Sequence, residues 1–107
     1  MAEQYLEEAV RMADHPGIVF RDGPAGRRAA IAGHRLDVWQ AVQTVRAEGG
    51  DLGAAATYLG ISPGLVGAAI DYYADYRDEV ESWIDRNAAM AEEAEAAWRQ
   101  RQAALQQ

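Results

Sequence analysis

The residues able to do acid–base, nucleophilic or metal chemistry are few and scattered. His15 and His34 are the only histidines, 19 positions apart, with no acid at metal-ligand spacing beside either. Surface or structural roles are the expectation for both. Ser62, followed by Pro63, reads as a helix cap, and Ser82 falls mid-helix; neither has an acid–base partner of the kind a nucleophile needs. The stretch "GPAGRR" lacks the spacing of a phosphate-binding loop. Glu92, Glu93 and Glu95 have the pattern of a solvated face. The absence of cysteine excludes disulfides, thiol catalysis and cysteine-ligated zinc or iron–sulfur sites. The chain reads as a non-enzyme, with no catalytic residue, no metal site and no cofactor.

The remaining chemistry is charge. All ten cations are arginine, and the net charge is −7. Residues 1–26 carry five acids and two arginines, residues 27–77 five and five, and residues 78–107 seven and three. The middle is neutral and both ends are acidic. A nucleic-acid binder usually shows a basic face, so this distribution points first to a protein partner, and to a basic one.

The elements that must position these charges follow from periodicity and caps. Residues 2–13 place Leu6, Ala9, Val10 and Ala13 on one face of a short amphipathic helix. "IVFR" and "RRAAIA" read as two strands joined by the "DGPAG" turn. Two strands alone are marginal in water, so they are expected to pair with a second copy or a partner. Asp37 caps a helix "VWQAVQTVRAE" that Gly49-Gly50 ends, and Asp51 caps the next, which closes at Gly60. Ser62-Pro63 opens a helix over 63–76, and a long alanine-rich helix covers 78–105.

With 107 residues, 23 of them alanine, the core must lean on a few large side chains. Tyr5, Leu6, Val10, Ile18, Ile31, Val38, Val42, Tyr58, Val66 and Tyr73 are among the candidates. A thin core of this kind favours a homodimer. No apolar run approaches the roughly 20 residues of a membrane span, and the acidic start is unlike a secretory signal. A cytoplasmic protein is expected.

Residues 55–79, "ATYLGISPGLVGAAIDYYADYRDEV", have the spacing of a helix-turn-helix: Ala56, then Gly60 at the turn, then Val66. An ordinary αα-corner shares that spacing. The second helix offers Ser62, Asp71, Tyr72, Asp75 and Tyr76, and no Arg, Lys, Asn or Gln between Ser62 and Tyr76. Base readout needs donors and phosphate contact needs cations. The candidate DNA-binding residues are therefore Ser62 and the flanking Arg27, Arg28, Arg35 and Arg77, with Arg46 nearby. Arg35 could equally hydrogen-bond carbonyls at the strand-to-helix junction. Specific readout by this helix is expected to be weak.

"GRRAAIAGHRLDVWQAV" resembles the "G-K-P-V-I-x-G-T-R-I-x-V" opening of domain-of-unknown-function family 433. "LGAAATYLGISPGLVGAAIDYYADYRDEVESWI" is similar to that family's helical half, with its tyrosine pair and acid at Tyr72, Tyr73 and Glu79. The resemblance spans residues 15 to 86, with Gly33, Arg35, Leu36 and Val38 the most specific positions of its first half. Ala29, Ala32, His34 and Asp37 depart from the commoner Pro, Arg, Thr and Pro, and one of these changes removes a cation. The resemblance implies a mainly α, homeodomain-like helix-turn-helix core with an N-terminal β-hairpin arm and a long C-terminal helix. It implies a VapB-type antitoxin of a type II toxin–antitoxin system, whose partner is a PIN-like nuclease toxin and whose further partner is operator DNA.

On this reading residues 1–36 form the N-terminal helix and β-arm used for dimerisation, 37–77 the helix-turn-helix core, and 78–107 a partner-binding tail. In the tail Val80, Ile84, Asn87, Ala91, Ala94, Trp98, Arg101 and Leu105 step by four and three. That is heptad spacing, with small or polar residues where a self-zipper wants Leu or Ile. A solvated helix fraying after Asn87 fits this pattern, and so does a helix that orders in a partner's groove. The candidate toxin-binding residues are Trp83, Met90 and Trp98 as anchors, with Arg99 and Arg101 facing the nuclease's metal-binding acids. Tyr72 and Tyr73 are expected in the core and dimer. The competing functions are a stand-alone helix-turn-helix transcription regulator and a structural adaptor.

Overall fold

Each central helix starts and stops on chemistry its own sequence supplies. The computed structural model describes residues 2–106. In chain order they form α1 (Ala2–Asp14), β1 (Ile18–Gly23), β2 (Gly26–Ile31), α2 (Val38–Ala47), α3 (Leu52–Leu59), α4 (Pro63–Asp75) and α5 (Arg77–Leu105). Asp51 accepts from the Ala54 amide at 3.0 Å and Ser62 Oγ from the Leu65 amide at 3.2 Å, capping α3 and α4. Gly60 closes α3 at φ +72°, a left-handed turn that glycine takes without steric cost. The fold is mainly helical, with one two-stranded antiparallel hairpin and a long C-terminal helix.

The core is small and centred on α2 and α4. Ile31, Val38, Val42, Val66 and Tyr72 are fully buried, and Ala41, Ala55 and Ala69 let the helix backbones approach closely. α3 and α4 meet at 113°, within the range of a helix-turn-helix. Ala56 and Val66 are buried on either side of the turn. The β-hairpin pairs Ile18 with Ile31 and Gly23 with Gly26. The support that a lone hairpin lacks comes from within the chain: Ile18, Ala29, Ala30 and Ile31 are buried against the helices. Ala30 also bridges to Asp37.

α1 overturns an expectation. Its apolar face points to solvent: Leu6 is 69% exposed, Tyr5 58% and Val10 56%. Tyr58, on α3, is also outside the core at 76%. What α1 turns inward is polar. Glu8 is buried, and Arg11 reaches across to α4 and α5, donating to Tyr72 Oη at 2.9 Å and Glu79 Oε1 at 2.8 Å. Tyr72 Oη in turn donates to Glu79 Oε2 at 2.5 Å. The Arg11 guanidinium lies 3.9 Å from the centre of the Tyr76 ring, a cation–π contact. Burial works against the Arg11 charge, but Glu79, Tyr72 and Glu7 outweigh it and hold the group protonated. Burial and the adjacent Glu79 push the Tyr72 phenol well above its ordinary value, so its hydroxyl remains a donor.

Among the described residues no single helix is long and apolar enough to cross a membrane. α5 runs outward from the core and gives the molecule its 58 Å length.

The network sets an expectation for stability. Tyr72→Phe removes the phenol's hydrogen bonds with Arg11 and Glu79, which keep each other, and is expected to cost about 1–3 kcal/mol. Tyr58→Gln, at an exposed position of α3, stays within about 0.5 kcal/mol of wild type. Urea denaturation of the two variants checks the contrast.

Candidate partner-binding and nucleic-acid surfaces

The tail leaves the core after little more than two turns. Val80 is buried, and Trp83 and Ile84 are half-buried. The Trp83 ring is covered by Arg86, whose guanidinium lies 4.5 Å from the ring centre. Trp83 and Met90 line an apolar cavity of about 270 Å³ with Trp39 and the hairpin turn at Pro24 and Ala25. The first two seam positions, Val80 and Ile84, are thus used by the core. From Ala91 onward every described residue is exposed except Ala97, which is half-buried.

The helix nonetheless continues to Leu105. Met90 and Trp98 are each 58% exposed and Leu105 79%. Arg99 is paired with Glu95 at 2.5 Å, one turn away, whereas Arg101 is exposed. Of the five residues expected to meet a toxin, Met90, Trp98 and Arg101 are free to do so. Trp83 roots the helix on the arm, and Arg99 would have to leave Glu95. An isolated helix is marginal in water, and among the described residues nothing buries these side chains.

The DNA candidates fare differently. Arg27 donates to both oxygens of buried Glu8, at 2.6 and 2.7 Å, and pairs with Asp22 at 3.2 Å. Arg28 Nε donates to Asp37 at 2.5 Å, and the same carboxylate oxygen accepts from the Trp39 indole at 3.1 Å. Ser62 uses its hydroxyl as a cap. Arg77 is exposed and lies 5.2 Å from the centre of the Tyr73 ring. Arg46 hydrogen-bonds Tyr73 and Glu81. The exposed positions of α4 are Pro63, Gly64, Asp71, Ala74 and Asp75, with Asp75 held at 2.8 Å by buried His15. That face carries acids and no cation.

Arg35 is exposed and does not hold the strand-to-helix junction. Arg21 does, donating to the carbonyls of His34 and Ile31, the latter at 3.0 Å. Sequence reasoning passed over Arg21; the signal was the short turn, which sets Arg21 directly opposite Arg28. No group of three or more His, Asp or Glu among the described residues is arranged to hold a metal ion.

Comparison with protein-family models, characterised proteins and solved structures finds no match to this chain. The family resemblance therefore rests on the residues quoted for it.

Two carboxylates give the site a pH dependence. Arg27 hydrogen bonding, opposed by burial, holds Glu8 below its ordinary value. Arg46, with help from Tyr73, does the same for Glu81. A depressed carboxylate stabilises the fold above its unfolded pKa of about 4.3, and that contribution is lost as pH falls through the lower folded value. Between pH 7 and pH 3.5 the urea midpoint is expected to fall, and a Glu8→Gln/Glu81→Gln variant is expected to lose less of it over the same interval.

Proposed function

We propose that this protein is an antitoxin that binds and neutralises a PIN-like nuclease toxin through its C-terminal helix. The observation that carries the reading is the tail: a helix continuing past the core with Met90, Trp98 and Leu105 exposed along it. Large exposed anchors of this type supply most of the energy of helix-in-groove interfaces. The acids Glu92 and Glu93 stand beside them and suit a basic rim on the partner. The identity of the partner as a nuclease follows from the resemblance to family 433, through Gly33, Arg35, Tyr72, Tyr73 and Glu79.

The protein acts as a homodimer on this reading. The outward apolar stripe of α1, with Leu6 and Val10 at its centre, is the surface that supports it. Binding of operator DNA is secondary and modest. The stand-alone regulator is the weaker reading, because the exposed face of α4 has no donor able to read a base edge.

Truncation after Asn87 is expected to leave urea stability within about 0.5 kcal/mol of the full chain while abolishing inhibition in a nuclease assay with the purified toxin. Trp98→Ala is expected to weaken toxin binding by about 2 kcal/mol, roughly thirtyfold in Kd. A truncated chain that still inhibits would remove the tail from the mechanism.

A further inference from the structure

The hairpin carries an arrangement that its own stability does not explain. Arg21 and Arg28 are directly opposite each other across the two strands, and like charges in that position are destabilising. Both line one open cavity of about 540 Å³ with Gly33, His34, Arg35 and Asp37. Asp37 pairs with Arg28. Arg21 is held by the carbonyls of Ile31 and His34, which fix its geometry but do not cancel its charge. Arg35 is exposed at the rim. Three guanidinium groups against one carboxylate leave a formal balance of +2 at this place, in a chain whose net charge is −7.

We infer that this cavity is a phosphate-binding site that receives the backbone of a nucleic acid. Guanidinium groups present planar, multi-donor forks suited to phosphate oxygens and are always charged. The cavity is an open dish, so a polymer can pass across it. Gly33, at φ +79°, has no atom within 4 Å of where a side chain would start, which leaves the backbone open to close approach. Arg35 contacts the phosphate, while Arg21, held by neutral carbonyls, supplies field from a fixed position and Arg28 is balanced by Asp37. The contact carries no sequence information. This moves the nucleic-acid contact from α4, whose outer face repels phosphate, to the turn between β2 and α2. It also replaces Arg27, neutralised by Glu8 and Asp22, with Arg21. The inference rests on the DNA-contact part of the reading above and is independent of the tail and its toxin.

The test is an amide-resolved NMR titration of the full chain, first with inorganic phosphate against chloride at matched ionic strength, then with a short DNA duplex. The expected result is saturable shifts at Gly33, His34 and Arg35 with both probes. Arg35→Ala, an exposed position, should keep the amide dispersion of the folded protein. It should abolish the phosphate shifts and lower the slope of log affinity against log salt for the duplex by about 1. Three outcomes overturn the inference. In one, no shifts appear at this turn. In another, shifts survive Arg35→Ala. In the third, phosphate gives shifts but the duplex gives none, which assigns the site to a free anion.

Discussion

The face that α1 turns outward follows from one polar contact, the Arg11–Tyr72–Glu79 network. It ties α1 to α4 and α5 across 61 and 68 positions of sequence. Tyr72 is fully buried, so its hydroxyl must be partnered, and leaving such a group unpaired costs more than the bond itself contributes. Arg11 can serve it only if α1 presents its polar side to the core. Glu8 then falls inward and is matched by Arg27, and the apolar side of the helix is left facing outward. An amphipathic helix has been docked by the face that usually meets water.

Two consequences bear on function. The core is completed by polar contacts together with a small set of aliphatic side chains, so the chain retains apolar surface on α1 and along the tail. In the proposed reading these are the surfaces that protein partners would cover. In contrast, the arginines that a nucleic acid could use are largely neutralised within the arm, where Glu8, Asp22 and Asp37 hold Arg27 and Arg28. The helix-turn-helix geometry survives at 113° with an outer face that carries Asp71 and Asp75. Its buried side, with Ala56, Val66 and Tyr72, is part of the core.

The caps and turns were legible in the sequence because they are local chemistry. Asp51, Gly60 and Ser62 each act within four residues, and the helix limits they set agree with the structure to within a residue or so. The side of α1 that docks was not legible. Periodicity groups Leu6 with Val10, but the choice of face depends on Tyr72 and Glu79, far away in sequence. The same limit applies to the charges. Arg27 and Arg28 are adjacent, yet their partners lie on α1 and just before α2, so sequence could not separate a neutralised arginine from a free one. Arg21 was recoverable in principle, since the turn length fixes its position opposite Arg28. Trp98 was legible for a simple reason: no large side chain near it in sequence could bury it.

The most direct test of the central claim is hydrogen–deuterium exchange on the full chain, alone and with the proposed nuclease partner. The account predicts rapid exchange over residues 91–105 in the free protein, slow exchange at Val66 to Tyr72, and strong protection of the tail once the nuclease binds, with α4 unchanged. Protection appearing on α4 and absent from the tail would contradict it, and would return the helix-turn-helix to the centre of the protein's function.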